Sequence, residues 1–235
     1  MTTQEDAKKL VGQRGAELVE SGMTVGLGTG TTATYFIHAL ATRNAQSSLN
    51  IRCVASSDAS TALARNLGLI VTTLNELSSL DIYIDGADEV DPNLNLIKGG
   101  GGAQLREKIV ASAAARFVVL VDSSKLVPTL GKFPLPIEVV KMAYVPVQRK
   151  LDASGLSPVL RLDRDAHQPF VTDEGNYILD CHCGPISDPY MLAKELRSVA
   201  GVIEHGLFLG MTSTCFVAGE DGLVEMTAPT TAMSH

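Results

Sequence analysis

The order of apolar and polar residues along the first half of the chain alternates between two patterns. Some stretches place apolar residues on one face of a helix, as Ala33, Phe36, Ile37 and Leu40 do. Others are short apolar runs such as TVGLG, which are typical of buried strands. Because the two kinds of segment alternate, we predict an α/β fold with a doubly wound, mostly parallel sheet. The predicted strands are 24–28, 51–55, 69–74, 81–85 and 117–122, and the predicted helices include 57–68 and 103–116.

The second half of the chain has a different character. Residues 131–205 are rich in proline and β-branched residues, and they contain a predicted hairpin turn at 173–176. We therefore predict that 131–205 form a small α+β domain. This domain would be inserted into a larger one made of 1–130 and 206–235, which the predicted strand 214–219 rejoins.

Composition and charge narrow the class of protein. With 235 residues, 45% of them hydrophobic and 19% charged, the chain is typical of a folded globular protein. The net charge of −7 argues against non-specific binding of nucleic acid, but a few local donors are enough to bind a small anion. No run of 18 or more apolar residues is present, so we expect no membrane partner.

The cysteines and the start of the chain bear on the compartment. The first residues lack the basic and apolar segments of a secretory signal, and the cysteines follow no disulfide-framework spacing. We therefore expect a cytoplasmic protein with reduced thiols. Cys181, His182 and Cys183 invite a zinc interpretation, but strand alternation sends His182 to the opposite face, and no second ligand pair follows. We predict no metal site.

A loop rich in glycine and threonine, GLGTGTTA, follows the first predicted strand and precedes a helix. Glycines let an oxyanion approach the backbone, and N–H groups at a helix N-terminus point toward it. Next to Gly30, the hydroxyls of Thr29, Thr31 and Thr32 add donors, which favours a phosphate site. A tight structural turn and a dinucleotide site, G-x-G-x-x-A, remain alternatives. The dinucleotide alternative is weakened because residues 48–53 lack the acidic residue that binds a ribose hydroxyl.

Two acidic residues follow the apolar strand DIYID. Asp85 ends this strand, and Asp88 comes after a turn made by Gly86 and Ala87. Because ligands of doubly wound sheets bind beyond the carboxyl ends of the strands, we expect both carboxylates to face the ligand crevice. The alternative is that they are ordinary surface aspartates of a loop.

The stretch LIKGGGGAQLREKIV is the most informative. Its four glycines, 99–102, are costly to order, at about 1 kcal/mol each relative to alanine in regular structure. They indicate close contact of the backbone with a ligand, or an anion-binding nest of N–H groups. Lys98 precedes them, Glu107 lies near the start of the next helix, and Lys125 follows a later strand. The alternative is a flexible loop, with Glu107 complementing the helix dipole.

Six motifs in order resemble those of ribose-5-phosphate isomerase of the A type: GLGTGTTA, SSDAS, DIYIDGADEVD, LIKGGGGAQLREKIVAS, SSK and LGKFPLPIEV. The resemblance is dense over 8–140 and thinner beyond. It implies isomerisation of ribose 5-phosphate to ribulose 5-phosphate through a cis-enediolate, in the pentose phosphate pathway, without metal or cofactor. It also implies a Rossmann-like domain with a smaller inserted α+β, ferredoxin-like domain, assembled as a homodimer or homotetramer.

The same resemblance assigns roles to the motif residues. It places the proton acceptor on Glu107, with Asp85, Asp88 and Lys98 as further catalytic residues and Lys8 as a possible phosphate contact. The substrate-binding residues that it implies are Thr29, Gly30, Thr31, Thr32, Asp85, Gly86, Ala87, Asp88, Lys98, Gly99, Gly100, Gly101 and Lys125.

Other functions on a related fold stay open at this point. A non-catalytic sugar-phosphate sensor would keep the threonine loop but would not need Glu107 together with Lys98. A sugar-phosphate deaminase or a coenzyme A transferase would use related sites. A transferase with a covalent nucleophile would form an acyl intermediate that hydroxylamine traps, whereas an isomerase would not.

Overall fold

A computed structural model describes residues 3–163, 165, 167–220 and 222–227. Residues 228–235, which we assigned to the large domain, lie outside the described residues. The helices are α1 (Gln4–Glu17), α2 (Thr31–Ser47), α3 (Asp58–Asn66), α4 (Gln104–Ala113), α5 (Tyr144–Ala153) and α6 (Pro189–Arg197). The strands are β1 (Thr24–Leu27), β2 (Arg52–Ala55), β3 (Leu80–Asp85), β4 (Glu89–Val90), β5 (Leu96–Ile97), β6 (Ala114–Asp122), β7 (Leu135–Val139), β8 (Pro158–Leu160), β9 (Tyr177–Cys181), β10 (Val202–His205), β11 (Leu207–Phe208), β12 (Thr214–Gly219) and β13 (Gly222–Thr227).

The largest sheet has six strands in the order β13-β12-β6-β3-β1-β2. Neighbouring strands from β12 to β2 run parallel, and only β13 at the edge is antiparallel. One face packs against α1 and α2 through residues such as Val11 and Phe36, and the other buries Tyr83 and Phe117 near α4. Because both faces are covered, the central strands are continuous apolar runs. The predicted doubly wound, mostly parallel sheet is confirmed.

A second, four-stranded sheet is antiparallel throughout, in the order β10-β7-β9-β8. Along the chain its elements run β7-α5-β8-β9-α6-β10, which is a ferredoxin-like split βαβ arrangement. Its core is a separate apolar cluster that includes Ile137, Leu151, Leu179 and Leu196. The structure therefore confirms a smaller α+β unit beside the large sheet.

The sequence pattern did not predict a third sheet, formed by β11, β5 and β4. These strands have two residues each, too few to produce a readable periodicity. The pairing matters for the site because the Lys98 N–H donates to the carbonyl of Gly206, at 2.9 Å, just beyond β5. This bond ties Lys98 to the chain that returns from the small sheet.

Residues 69–74 do not form the predicted strand. Only Val71 bridges to the edge strand β2. The side chain of Glu76 accepts hydrogen bonds from Thr72 and from the backbone N–H of Thr73, which starts a short 3₁₀ turn. Such local bonds between side chain and backbone compete with strand pairing.

The helix predicted over 103–116 is shorter than expected. It begins at Gln104 and ends at Ala113, because Ala114–Arg116 pair with β3 and form the start of β6. Pairing in the sheet thus overrides the helix propensity of alanine. No described helix is both long and apolar enough to cross a membrane.

Candidate active site

A pocket of about 120 Å³ opens beyond the carboxyl ends of the parallel strands, where ligands bind in doubly wound sheets. Its walls come from the segments after β1, β3, β5 and β6, together with α1 and α4. Every residue predicted to be catalytic or substrate-binding lines it except Asp85. The lining residues are Lys8, Thr29, Gly30, Thr31, Thr32, Gly86, Ala87, Asp88, Lys98, Gly99, Gly100, Gly101, Glu107 and Lys125.

By chemistry, the site contains two groups of side chains. The threonine cluster consists of Lys8, Thr29–Thr32 and Lys125, which offer hydroxyls, backbone N–H groups and two ammonium groups. The carboxylate cluster consists of Asp85, Asp88, Lys98 and Glu107. The first group suits an anion such as phosphate, and the second suits proton transfer.

The backbone geometry of the threonine cluster requires glycine. At Gly28, a Cβ atom would lie 2.1 Å from Asp85 Oδ1, so no other residue fits between β1 and β3. Gly30 has a φ of 96° and precedes α2 without a capping side chain. The first N–H groups of α2 therefore lack a capping acceptor from this residue, and the helix N-terminus presents them at the pocket.

The serines of the SSDAS motif hold the threonine loop in place. Ser56 Oγ lies 2.8 Å from Thr29 Oγ1, and Ser60 Oγ donates to the carbonyl of Gly28 at 2.7 Å. Ser57 caps α3 by accepting a hydrogen bond from the N–H of Ser60. Since the Thr29 hydroxyl is engaged with Ser56, the hydroxyls of Thr31 and Thr32 are better placed to contact a ligand.

Asp85 does not face the crevice as expected. It has no exposed surface, and its carboxylate accepts four hydrogen bonds from the protein. The donors are the N–H groups of Thr29 (2.9 Å) and Gly86 (2.7 Å), the Tyr83 hydroxyl, and Lys98 Nζ (2.8 Å). With its oxygens occupied, Asp85 joins the loops after β1 and β3 and orients Lys98.

Tyr83 was missed in the sequence. It is fully buried, donates its hydroxyl to Asp85, and stacks on Phe117 with ring centroids 4.9 Å apart. Burial raises its pKa well above the usual value, so the hydroxyl remains a donor. The signal was available: residues two apart on a strand point to the same face.

Lys98 is buried between two carboxylates. Its Nζ donates to Asp85 Oδ2 (2.8 Å) and to the carbonyl of Gly86 (2.6 Å), and it lies 3.3 Å from Glu107 Oε2. Burial by itself disfavours the charged form, but attraction to Asp85 and Glu107 outweighs it and raises the pKa of Lys98. The side chain is therefore a fixed cation at the base of the pocket.

Glu107 lies in the first turn of α4 and is 4% exposed. Burial raises its pKa well above the ordinary value of 4.5, although attraction to Lys98 opposes the shift. Within the described residues, Glu107 Oε2 has no hydrogen-bond partner of good geometry. The Glu107 side chain therefore lies beside a buried cation in the wall of the pocket.

Asp88 remains accessible at the pocket and is held by the glycine loop. Its Oδ2 accepts a hydrogen bond from the Gly100 N–H at 2.8 Å. A Cβ at Gly100 would lie 2.7 Å from Asp88 Oδ1 and 3.0 Å from the Phe133 ring, so the loop packs closely against both side chains. The glycine run thus carries close contacts and is not a free loop.

A family model matches the part of the chain that holds five of the six motifs, all except GLGTGTTA. The model of ribose 5-phosphate isomerase A (phosphoriboisomerase A) matches residues 52–222. A relative from Roseiflexus sp. (strain RS-1), named ribose-5-phosphate isomerase A, is 54% identical over 213 residues, covering 90% of this chain and 91% of its own. The chain belongs to this family. The resemblance inferred from the motifs is therefore confirmed.

Solved structures of family members have the same fold. A ribose 5-phosphate isomerase A from Methanocaldococcus jannaschii superposes with a TM-score of 0.92 at 41% identity, covering 96% of this chain and 100% of its own. A D-ribose-5-phosphate isomerase in complex with phospho-erythronic acid superposes with a TM-score of 0.93 at 36% identity, covering 96% and 99%. The similarity extends over both sheets and does not stop at the large one.

The side chains of Cys181, His182 and Cys183 alternate in burial, as the sequence predicted. Cys181 is buried in β9, His182 is exposed, and Cys183 is half-buried. Across the described ranges, no group of three or more His, Cys, Asp or Glu side chains is arranged to hold a metal ion.

Proposed function

We propose that the protein interconverts D-ribose 5-phosphate and D-ribulose 5-phosphate through a cis-enediolate, with Glu107 as the base. One observation carries this proposal: the buried carboxylate of Glu107 lies 3.3 Å from Lys98 Nζ in the wall of a pocket that also presents phosphate donors. The family to which the chain belongs performs this isomerisation, as its name states.

The environment of Glu107 suits proton transfer at carbon. The reaction requires a base that takes a proton from C2 and returns it to C1. Burial, together with the nearby Asp85 and Asp88 charges, raises the pKa of Glu107, while Lys98 opposes the rise. A carboxylate with a raised pKa accepts a proton from carbon more readily, and the nearby ammonium group keeps part of the population ionised.

The enediolate places negative charge on oxygen, and a preorganised cation stabilises it most. Lys98 supplies this charge, and Asp85 and the Gly86 carbonyl hold its Nζ in place. Asp88 reaches the pocket, whereas Asp85 does not. We therefore assign hydroxyl proton transfer and ring opening to Asp88, and the orientation of Lys98 to Asp85.

The threonine cluster would bind the phosphate. The N-terminus of α2 offers N–H groups, Thr31 and Thr32 offer hydroxyls, and Lys8 and Lys125 offer positive charge. A phosphate anchored here would use binding energy remote from the reacting carbons to orient them against Glu107. In one solved family member the bound molecule is itself a phosphorylated sugar acid, phospho-erythronic acid.

The assembly and location are part of the same proposal. We assign residues 1–130 and 206–235 to the catalytic domain and 131–205 to a domain that contributes to a homodimer or homotetramer. The resemblance to the family implies such an assembly. The cysteines are free thiols, as in a reducing cytoplasm. Light scattering of the purified protein would measure its mass in solution.

The other functions are less well supported. A sugar-phosphate sensor has no need of a buried Lys98–Glu107 pair, which is costly to bury. A coenzyme A transferase would form a covalent acyl intermediate that added hydroxylamine traps. An NAD-dependent dehydrogenase would bind the dinucleotide in a titration, and we expect neither result.

The deciding experiment is coupled turnover of ribose 5-phosphate by the wild type and by Glu107→Gln. We expect kcat to fall at least ~100-fold in the variant, the scale of a lost acid–base group, with KM nearly unchanged. Glu195→Gln, at an exposed position on α6, is the matched control and should behave as wild type. Near-normal turnover by Glu107→Gln would remove Glu107 from its role, and an inactive wild type would reject the function.

A further inference from the structure

The glycine loop, residues 99–102, lines the pocket and is hydrogen-bonded by an arginine of the small domain. Arg161 follows β8, and its Nη1 donates to the carbonyl of Gly99 at 2.9 Å and to that of Gly100 at 3.2 Å. These are the two loop residues next to Lys98. Its side chain is only 14% exposed, so the contact is largely shielded from water. Arg161 is not among the residues that line the pocket.

The guanidinium group is itself fixed. Its Nε donates to Asp180 Oδ2 at 2.8 Å, and its Nη2 donates to Asp180 Oδ1 at 2.5 Å, a bidentate pair. Asp180 belongs to β9, which pairs with both β7 and β8. Phe170, whose N–H donates to the carbonyl of Arg161, packs so closely on the loop that a Cβ at Gly102 would lie 2.4 Å from its ring. The small sheet thus presents a rigid surface to the loop.

The loop needs such support. Consecutive glycines are costly to order, and the Gly99 φ of 105° is a left-handed conformation that places the peptide groups in one particular orientation. When Arg161 holds the carbonyls of Gly99 and Gly100, the peptide that joins them keeps its orientation. The N–H of that peptide donates to Asp88 at 2.8 Å. Lys98 directly precedes the held residues.

We propose that Arg161, oriented by Asp180, is a positioning residue for the isomerisation: it holds the glycine loop so that Asp88 and Lys98 face the reacting carbons. This inference rests on the proposed function. It assigns the small domain a part in the active site in addition to any part in assembly. Arg161 acts through the loop, so it is expected to affect the chemical step more than the binding of phosphate.

The test compares Arg161→Met with Arg149→Met. Arg149 is exposed on α5 of the same domain, so the control carries the same substitution without the loop contact. We expect kcat to fall at least ~10-fold in Arg161→Met, because a displacement of about 1 Å in a site can cost about 100-fold. Competitive inhibition by inorganic phosphate should stay within ~2-fold of wild type, since the threonine cluster is untouched.

A second variant tests Asp180, the residue that orients Arg161. Asp180→Asn removes the charge that orients Arg161 and should lower kcat in the same direction but less. The double variant should be no slower than Arg161→Met alone, because the two residues act as one unit. If Arg161→Met fails to fold, Asp180→Asn carries the prediction by itself: lower kcat with unchanged phosphate inhibition.

Hydrogen exchange provides a measurement that does not depend on turnover. Amides of residues 99–102 should exchange faster in Arg161→Met than in wild type, while those of β12 exchange at the same rate. Wild-type kcat in Arg161→Met, or unchanged exchange of the loop, would overturn the proposal. An inactive wild type would instead reject the proposed function, and the exchange comparison would still decide whether Arg161 orders the loop.

Discussion

The two clusters that share the pocket are built in opposite ways. The threonine cluster consists of backbone N–H groups, hydroxyls and two half-exposed lysines, Lys8 and Lys125. The carboxylate cluster places Asp85, Lys98 and Glu107 almost out of contact with water, each 4% exposed or less. Donors at a helix N-terminus are available without burying charge. Ionised groups in a low-dielectric interior are costly, but there they act on a substrate most strongly.

Two buried lysines, Lys98 and Lys108, differ in the charges that surround them. Lys98 has Asp85 and Glu107 against it, and its pKa is raised. Lys108, the neighbour of Glu107 on α4, is also buried, and it donates to Glu204 at 2.7 Å. Burial lowers the pKa of Lys108 to about 8, because attraction to Glu204 and Glu107 offsets it only in part and Arg197 adds repulsion. The carboxylates of Asp85 and Glu107 therefore keep Lys98 charged despite its burial.

The sharpest way to break this comparison is Lys98→Met. We expect kcat to fall about 100- to 1,000-fold, as for a lost oxyanion donor. Leaving Asp85 buried and without its cation should also lower the free energy of unfolding by about 3–5 kcal/mol. Coupled turnover and urea unfolding measure the two effects. If activity survives, the enediolate charge is stabilised by another group.

The pH dependence of kcat/KM tests the carboxylate cluster, because it depends on the protonation state of Glu107. Glu107 must be ionised to accept a proton, and its pKa is raised, so kcat/KM should fall as the pH drops through that raised value. Below it, the loss should approach 10-fold per pH unit. Initial rates between pH 5 and pH 9 would show this. A profile flat down to pH 5 would mean that Glu107 titrates at its ordinary value.

Lys125→Met probes the threonine cluster and should have a smaller effect. A charge-assisted contact with phosphate contributes about 1.5–3 kcal/mol, so KM should rise about 10-fold or more, with kcat within ~3-fold. The rise should shrink at high salt because the contact is partly exposed. Steady-state kinetics at two ionic strengths measure it. A fall in kcat with constant KM would place Lys125 in the chemical step instead.

The cost of burying Glu107 should appear in stability. Its folded pKa lies above its unfolded value, so its stabilising contribution is complete below the unfolded pKa and is lost as pH rises through the folded one. Glu107→Gln cannot ionise. Its Tm should therefore exceed that of wild type by at least ~2 °C at pH 9, with a smaller difference at pH 5. Calorimetry at both pH values measures the sign of this Tm difference. The sign would reverse if attraction to Lys98 outweighed the cost of burying the Glu107 charge.

Removing metal ions is expected to have no effect on turnover. If Lys98 supplies the only cation that the enediolate needs, overnight dialysis against a chelator should leave turnover unchanged. A loss that a divalent metal restores would assign that charge to a metal ion and not to Lys98.

Much of this site could be predicted because its motifs follow strands that apolar runs reveal. Glycine and threonine after β1, and the acid and lysine around the glycine run, end up in one pocket because parallel strands bring their carboxyl ends to one edge. Arg161 could not be found in this way. It follows a three-residue strand of the small sheet, and nothing local marks it as a partner of residues some 60 positions earlier.

The sequence by itself determined the alternating fold, the positions of the two clusters and the family, since local periodicity and ordered motifs carry that information. Only the tertiary structure decided what each carboxylate does. Asp85 and Asp88 were both expected to face the ligand crevice, yet Asp85 lies against Gly28 with its oxygens saturated, while Asp88 lines the pocket. That difference depends on which donors the neighbouring loops bring within hydrogen-bond distance, and those loops are far apart along the chain.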